Sequence, residues 1–396
     1  YPPEMGAPSQ RVSELAKFWV KQGHSVSIIT AMPNHPDGIV HTKYRWEYFK
    51  EEWVDGVRIL RVFLYVTPNK GVLKRIFSFI SFTITSLFVG LFMNKPDIVI
   101  ATSPQLFVGI SGLFIAKLKK IPFVFEIRDI WPQSAVELKM IRSHLVIRLM
   151  EKLERFLYYK ADRVVVVVKN FTEQLAKKHV NKEKIVFVPN GIDKTRFENK
   201  TNKEIIGRYF DRKNKFVIGY FGTMGLAHGL DIVVKAAEHY RKTNVFFVLV
   251  GDGAEKEKIK RHAAARKIEN LLVLEKIPAG EIPYAINEID AGLIHLKKLP
   301  IFTEALPSKM FEYMAMGKPL LAGVSGSAKE LLETNNAGVV FQPENLQEFI
   351  NAIEKLRNSN EFCRKMGENG KKMVESEFDR EILSQKYAKM MSVLIR

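Results

Sequence analysis

Apolar positions recur along the 396-residue chain in two alternating rhythms. Val12, Leu15, Ala16 and Trp19 stand three or four apart, which predicts a helix over residues 9–22, closed by the turn Gly23-His24. Residues 26–30 then read as a strand, and short β-branched runs follow at 57–62, 97–101, 121–126 and 164–168. Runs that are apolar on both faces predict parallel strands covered by helices on both sides. A second rhythm starts at Phe216: strand 216–221, helix 230–242, strand 245–250, the turn Gly251-Asp252-Gly253, helix 254–266, and strands 271–274 and 291–295. Residues 344–395 are strongly helical, with breaks near Asn358 and Phe378.

The pattern predicts an α/β chain of two Rossmann-like domains facing a central cleft. The first spans 1–197, the polar stretch 198–214 is the linker, and the second spans 215–375. Residues 376–396 form a last helix that returns to the first domain. A Rossmann-like half normally begins with a strand feeding a glycine turn, whereas here the chain opens at the turn, so about one strand is expected upstream.

Residues 76–94 are nineteen uncharged positions bracketed by Lys74, Arg75 and Lys95. Ser78, Ser81 and Thr85 fall on one side, and Phe77, Ile80, Ile84, Phe88 and Leu91 on another. That division predicts a helix half-buried in its domain or lying in a membrane interface, and not a span.

Composition narrows the class. The formal net charge is +18, with clusters at Lys117, Lys119 and Lys120 and at Arg142, Arg148, Lys152 and Arg155. Such clusters call for an anionic partner, whether a membrane surface, a phosphorylated substrate or nucleic acid. A single cysteine, Cys363, excludes an internal disulfide and a cysteine-rich zinc site, so a cytosol-facing location is expected. Residues 1–8 show no basic start followed by an apolar stretch, hence no signal peptide is expected.

The most informative stretch is Glu304-Ala-Leu-Pro-Ser-Lys-Met-Phe-Glu312 with Gly317-Lys-Pro319 after it. Pro307 ends what precedes it and Ser308 is a good N-cap, so a helix is predicted from Lys309 to about Met316. Its free amides can face a pyrophosphate, with Lys309 adding charge. The carboxylate of Glu312 suits a ribose diol and that of Glu304 suits sugar hydroxyls. Taken alone, the same stretch also reads as a capped amphipathic helix with two solvated glutamates.

These residues resemble the E-x7-E signature of glycosyltransferase family 4, the retaining GT-B enzymes. Val188-Pro-Asn-Gly-Ile-Asp193 is similar to the family's segment at the end of the first domain, Val250-Gly-Asp-Gly253 to its strand-end glycine turn, and Pro2-Pro-Glu-Met-Gly6 to its first phosphate-facing loop. Arg128-Asp129-Ile-Trp131-Pro132 resembles the bacterial branch that includes L-fucosamine transferases of O-antigen and capsule assembly. The resemblance implies a UDP-linked N-acetylated hexosamine as donor, and a lipid-linked saccharide acceptor at an anionic membrane surface on the cytosolic side. It further implies front-face transfer with retention, without a metal or other cofactor. Glu304, Asp129 and Arg128 would be catalytic, and Gly6, Gly222, Thr223, His228, Lys297, Lys298, Ser308, Lys309 and Glu312 would bind the donor.

The chain also departs from the family. Gly222-Thr223-Met224 and His228-Gly229 stand where many members place an arginine and a lysine for the pyrophosphate, and neither Thr223 nor His228 carries a permanent charge at pH 7. Lys297, Lys298, Lys309 or Arg128 would have to compensate. Arg128 stands where many relatives have a histidine. No Ser-His-Asp set, P-loop or H-E-x-x-H spacing is present. Two rivals share some of this evidence: a nucleotide-sugar 2-epimerase of the same fold, and a basic nucleic-acid-binding protein, for which no binding module is visible.

Overall fold

The computed structural model describes residues 1–4, 7–34, 38–67, 72–103, 105–137, 141, 143–198 and 203–395. They divide into two compact units, Tyr1–Asn190 with Arg380–Arg396, and Gly191–Asp379.

In unit 1 the chain runs through α1 (Ala7–Lys21), β1 (Ser27–Ala31), β2 (Phe49–Val54), β3 (Val57–Val62), α2 (Val72–Phe92) and β4 (Val99–Thr102). It continues through α3 (Leu106–Lys119), β5 (Phe123–Ile127), α4 (Gln133–Glu137), α5 (His144–Lys160), β6 (Arg163–Val166), α6 (Phe171–Lys177) and β7 (Ile185–Phe187). Strands β4, β5, β6 and β7 pair in that order, all parallel. The valine run shows why. Val164 and Val166 are buried on one face with Leu157 and Phe125, while Val165 is buried on the other with Leu15 and Val124. A side chain buried this completely contributes about 1.5–3 kcal/mol, so a strand with both faces covered is strongly held.

A second sheet has the order β1-β3-β2, with β1 parallel and β2 antiparallel to β3. The antiparallel strand corrects the expectation of parallel strands alone. It is made by Asp55-Gly56, whose φ values of 52° and 76° form the tight hairpin turn that Asp-Gly favours. Its outward residues Phe49, Glu51 and Trp53 are exposed, which hides the strand from a search for apolar runs.

Unit 1 is pinned internally by Arg11 of α1. Its guanidinium donates to Glu126 Oε2 (2.9 Å), Val188 O (3.0 Å) and Pro189 O (2.7 Å), and both charged side chains are buried. Burial pushes the Glu126 carboxyl up, but Arg11, with Arg128 and Thr102, outweighs it and holds the carboxyl below its ordinary value.

Unit 2 contains β8 (Phe216–Phe221), α7 (Asp231–His239), β9 (Val245–Val250), α8 (Lys256–Ala265), β10 (Leu271–Leu274), α9 (Ile282–Asn287), β11 (Ala291–His295) and α10 (Ser308–Ala315). Then come β12 (Leu320–Gly323), α11 (Gly326–Thr334), β13 (Gly338–Phe341), α12 (Leu346–Arg357) and α13 (Asn360–Met373). The six-stranded sheet has the order β10-β9-β8-β11-β12-β13 and is parallel throughout. This is a doubly wound sheet, and the strand order reverses between β8 and β11.

The stretch expected as a linker belongs to unit 2 where it is described. Ile205 and Ile206 are buried, and the Glu288 carboxylate accepts from the amides of Ile205 (2.6 Å), Ile206 (3.1 Å) and Gly207 (2.6 Å). Residues 199–202 lie outside the described residues. After α13 a single π turn, Val374–Phe378, leads to α14 (Arg380–Ser392), which lies on α1 within unit 1. There Trp19 Nε1 donates to Ser384 O (3.1 Å), its ring meets Tyr387 edge-on, and Glu14 pairs with the buried Arg380 (3.1 Å).

Replacing Arg11 by Met should destabilise the protein by about 3–5 kcal/mol, because it leaves the buried Glu126 charge unpaired. The pair Arg11→Met with Glu126→Leu should recover much of that loss in denaturant unfolding. The depressed Glu126 value adds a sign. Its stabilisation is present above the unfolded value near 4.5 and is lost as pH falls through the lower folded value.

Candidate active site

The carboxyl ends of β8 and β11 flank the reversal of strand order in unit 2, where open α/β sheets place ligands. The loop after β8 and the loop after β9 run against each other. Gly222 N donates to Val250 O (2.8 Å), Met224 N to Asp252 O (2.8 Å) and Glu255 N to Met224 O (2.9 Å). A Cβ on Gly251 would overlap the Gly222 carbonyl, and one on Gly253 the Met224 carbonyl. The φ values of 152° and 150° at these two residues also belong to glycine.

Helix α10 enters from the other side. Pro307 occupies the N-cap position and Ser308 is the first helical residue, exposed and making no capping bond, which corrects the expectation of a Ser308 cap. The cause is local: Pro307 already holds the extended conformation (φ −60°, ψ 128°) that a cap needs. The stem of Lys309 crosses Gly222, where any side chain would collide with it, and its ammonium lies over the Tyr220 ring at 4.8 Å. Burial lowers Lys309 to about 8 despite the nearby Glu312 carboxylate. Tyr313 fastens the helix, since its ring fills the space over Gly292 and its hydroxyl accepts from Phe221 N (2.9 Å). Tyr220 donates to Thr223 O (2.5 Å), and the Thr223 side chain stays exposed. Glu304, half-buried ahead of the helix, accepts from Ser327 Oγ, and Ser327 N donates to Thr303 O (3.0 Å), so the glutamate is tied to the start of α11.

Two histidines close the far side. His295 is buried at the end of β11, where Glu344 N donates to its Nε2 (3.0 Å). The ring proton therefore sits on Nδ1, which donates to His228 O at 2.6 Å. Both bonds are made at once only by this neutral tautomer. Burial, and then Lys309, pushes His228 down to about 4. Neither histidine carries charge at pH 7, so the charge beside them is that of the half-buried Lys309. Lys297 N donates to Ala227 O (2.9 Å) and Lys298 N to Glu344 Oε2 (3.0 Å), while the Lys298 side chain is exposed.

Gly222, Thr223, His228, Lys297, Lys309 and Glu312 are thus gathered at one end of the sheet, with Glu304 on the connecting loop. Arg128 and Asp129 lie in unit 1, at the carboxyl end of β5. Arg128 N donates to Ser103 Oγ (3.2 Å), and burial lowers its guanidinium. Asp129 is exposed to solvent, yet the groups crowding it raise its carboxyl above the ordinary value against the pull of Arg128. Trp131 is half-buried and meets Phe79 edge-on. Gly6 lies outside the described residues. The segment from Val188 to Asp193 is a structural joint: Asp193 is buried and accepts from Thr195 N (3.1 Å). Sequence reading missed Tyr220, Tyr313, His295 and Ser327. Only His295 left a signal, as a polar residue ending an otherwise apolar strand. Among the described residues no three His, Cys, Asp or Glu side chains are grouped to hold a metal ion.

Comparison with known proteins finds a family match for each unit. The model of the glycosyl transferase 4-like domain matches residues 6–191, and that of glycosyl transferases group 1 matches residues 201–373. The chain is 27% identical over 365 residues to a putative colanic acid biosynthesis glycosyl transferase, WcaI, of Escherichia coli (strain K12), covering 89% of each chain. It is 22% identical over 313 residues to the capsular polysaccharide biosynthesis glycosyltransferase CapM of Staphylococcus aureus, covering 76% of this chain and 78% of that one. Among solved structures, Anabaena HepE in complex with UDP and glucose superposes with a TM-score of 0.71 at 17% identity, covering 98% and 96% of the two chains. A sucrose-phosphate synthase from Thermosynechococcus elongatus gives 0.74 at 16% identity, over 98% and 94%. Likeness at that identity shows the fold, and the two family models between them account for nearly the whole chain. The chain belongs to glycosyltransferase family 4 and is a glycosyltransferase of GT-B fold.

Proposed function

We propose that unit 2 binds a UDP-sugar and that the enzyme passes the sugar, with retention, to a lipid-linked saccharide during assembly of a bacterial surface polysaccharide. The observation that carries this reading is the ammonium of Lys309, half-buried and held between the Gly222 turn, the Tyr220 ring and Glu312, where burial lowers it to about 8. A cation desolvated to that degree is stabilised by an anion that enters with it, and the diphosphate is that anion. In this reading the amides at the start of α10 share the charge, and no metal is required. HepE solved with UDP-glucose, and WcaI and CapM named for polysaccharide biosynthesis, support the donor class and the setting. A donor sugar of the N-acetylated L-fucosamine type, and work on the cytosolic face of an anionic membrane, complete the proposal.

The chemistry follows from charge placement. The bond from the anomeric carbon to the diphosphate oxygen breaks, the acceptor hydroxyl oxygen bonds to that carbon from the same face, and its proton passes to the departing phosphate. Lys309 meets the charge that develops on the leaving group. Glu312 holds the ribose diol and Glu304, fixed by Ser327, orients the sugar hydroxyls. Arg128 and Asp129 serve the acceptor side. Incubation with a panel of UDP-sugars tests the reading. Nucleotide release that requires a lipid-diphosphate saccharide supports it, and release without any acceptor overturns it.

Three outcomes are expected of variants. Glu312→Ala should weaken UDP binding by about 1.5–3 kcal/mol in calorimetry, the worth of charge-assisted hydrogen bonds. Glu304→Gln should lose turnover while free UDP binds nearly as in the parent. For Lys309 the sign follows from its value of about 8. The diphosphate binds the protonated amine, so UDP affinity should fall about tenfold between pH 7 and pH 9. In Lys309→Met the affinity should be lower and flat over that range.

A further inference from the structure

Helix α2 is built with its polarity reversed. Its hydroxyl side chains face the protein: Ser86 Oγ, buried, donates to Ser111 Oγ of α3 (3.2 Å), Thr85 Oγ1 donates to Phe63 O (2.8 Å), and Ser81 Oγ accepts from Tyr65 N (2.9 Å). Gly90 leaves room for Ile115 of α3 to press on the helix backbone. The outward side carries Phe77, Ile80, Ile84, Phe88 and Phe92, which are 63%, 38%, 61%, 63% and 77% exposed. Among the described side chains of α2, Lys74 is the one exposed residue that is not apolar.

The surface continues on the neighbours. Helix α3 packs between α2 and α5 and exposes Phe114 and Leu118 beside Lys117 and Lys120. Helix α5 exposes Leu145 and Leu149 beside Arg148 and Lys152. Lys119 Nζ closes the end of α2 by donating to Leu91 O (3.0 Å) and Met93 O (2.7 Å). Neither α2 nor α3 contains an Asp or Glu.

A helix in water hides its apolar residues and shows its polar ones. A helix that packs through small and hydroxyl residues and shows phenylalanine outward has the order suited to hydrocarbon surroundings. We propose that the outward faces of α2 and α3, joined by the exposed end of α5, dock on an anionic lipid leaflet, with α2 lying in the interface plane. The proposal rests on the reading that the acceptor is lipid-linked. The cations bordering the apolar strip select a negatively charged leaflet over a protein partner of neutral surface. Among the described residues no helix is long and apolar enough to cross a membrane, so the contact is interfacial.

The test uses the full chain with phosphatidylcholine vesicles, with or without phosphatidylglycerol, in a sedimentation assay. The parent should bind the phosphatidylglycerol vesicles and release partly at high salt, since screening removes the ionic share. The combined change Phe77→Ser, Ile84→Ser and Phe88→Ser, all on exposed positions, should lower the partition coefficient by about 100-fold. Lys74→Glu with Lys117→Glu and Lys120→Glu should remove the preference for phosphatidylglycerol. Stabilisation by UDP should be unchanged in both variants, which shows that each is folded. Binding by the serine variant equal to that of the parent overturns the proposal. So does a parent that ignores both vesicles, or serine changes that only dissociate a dimer. Failure of UDP to stabilise the parent would instead overturn the nucleotide-sugar reading and leave the vesicle result to stand by itself.

Discussion

The end of unit 2 where β8 and β9 finish depends on two stretches of bare backbone passing at contact distance. Gly251 and Gly253 let the loop after β9 lie directly on Gly222 and Met224, and three amide hydrogen bonds lock the crossing. That lock sets the height of Gly222, and the height of Gly222 sets the channel through which the Lys309 stem runs. A methyl group at any of these glycines would force apart parts that must touch, since a packed interior has no slack to absorb it. The position of the Lys309 ammonium is therefore a consequence of where side chains are missing.

The same economy of charge appears through the site. Two histidines sit near the cation, and burial lowers both, against the backbone carbonyl bonds that raise them; the amide that Glu344 donates to His295 Nε2 also requires that ring to be neutral. Had either been protonated, it would have cost the folded state the burial of a further charge beside Lys309. His295 is instead a link between the loop that carries His228 and the turn at Glu344. Its carbonyl and ring together hold the end of β11, from which the loop to Glu304 departs.

Unit 1 solves a different problem, that of carrying a large apolar exterior while staying folded. Its interior is tied by charges paired inside the core, Arg11 with Glu126 and Arg380 with Glu14, and by hydroxyl contacts between α2 and α3. Polar bonds of this kind are specific in direction, so they fix how the helices sit even where their outer faces are greasy. The segment after Asp379 brings α14 back onto α1 and completes the burial of Leu15 and Val165.

Much of this was legible along the chain. The valine run, the two rhythms and the breaks near Asn358 and Phe378 follow from periodicity and local propensity, which act over a few residues. The start of α10 was legible to within one residue, the error at Ser308 arising because Pro307 already supplied the cap geometry. The strand Phe49–Val54 was signalled by Asp55-Gly56 but masked by its exposed face. What the tertiary structure alone decided is everything that depends on distance in space. Glu288 captures residues 205–207 and turns a polar stretch into part of unit 2. Tyr220, Tyr313 and Ser327 join the site from separate elements, and the apolar side of α2 faces outward although its pattern alone fits either direction. Periodicity reports which residues share a face, and only the packing of neighbours determines which way that face is turned.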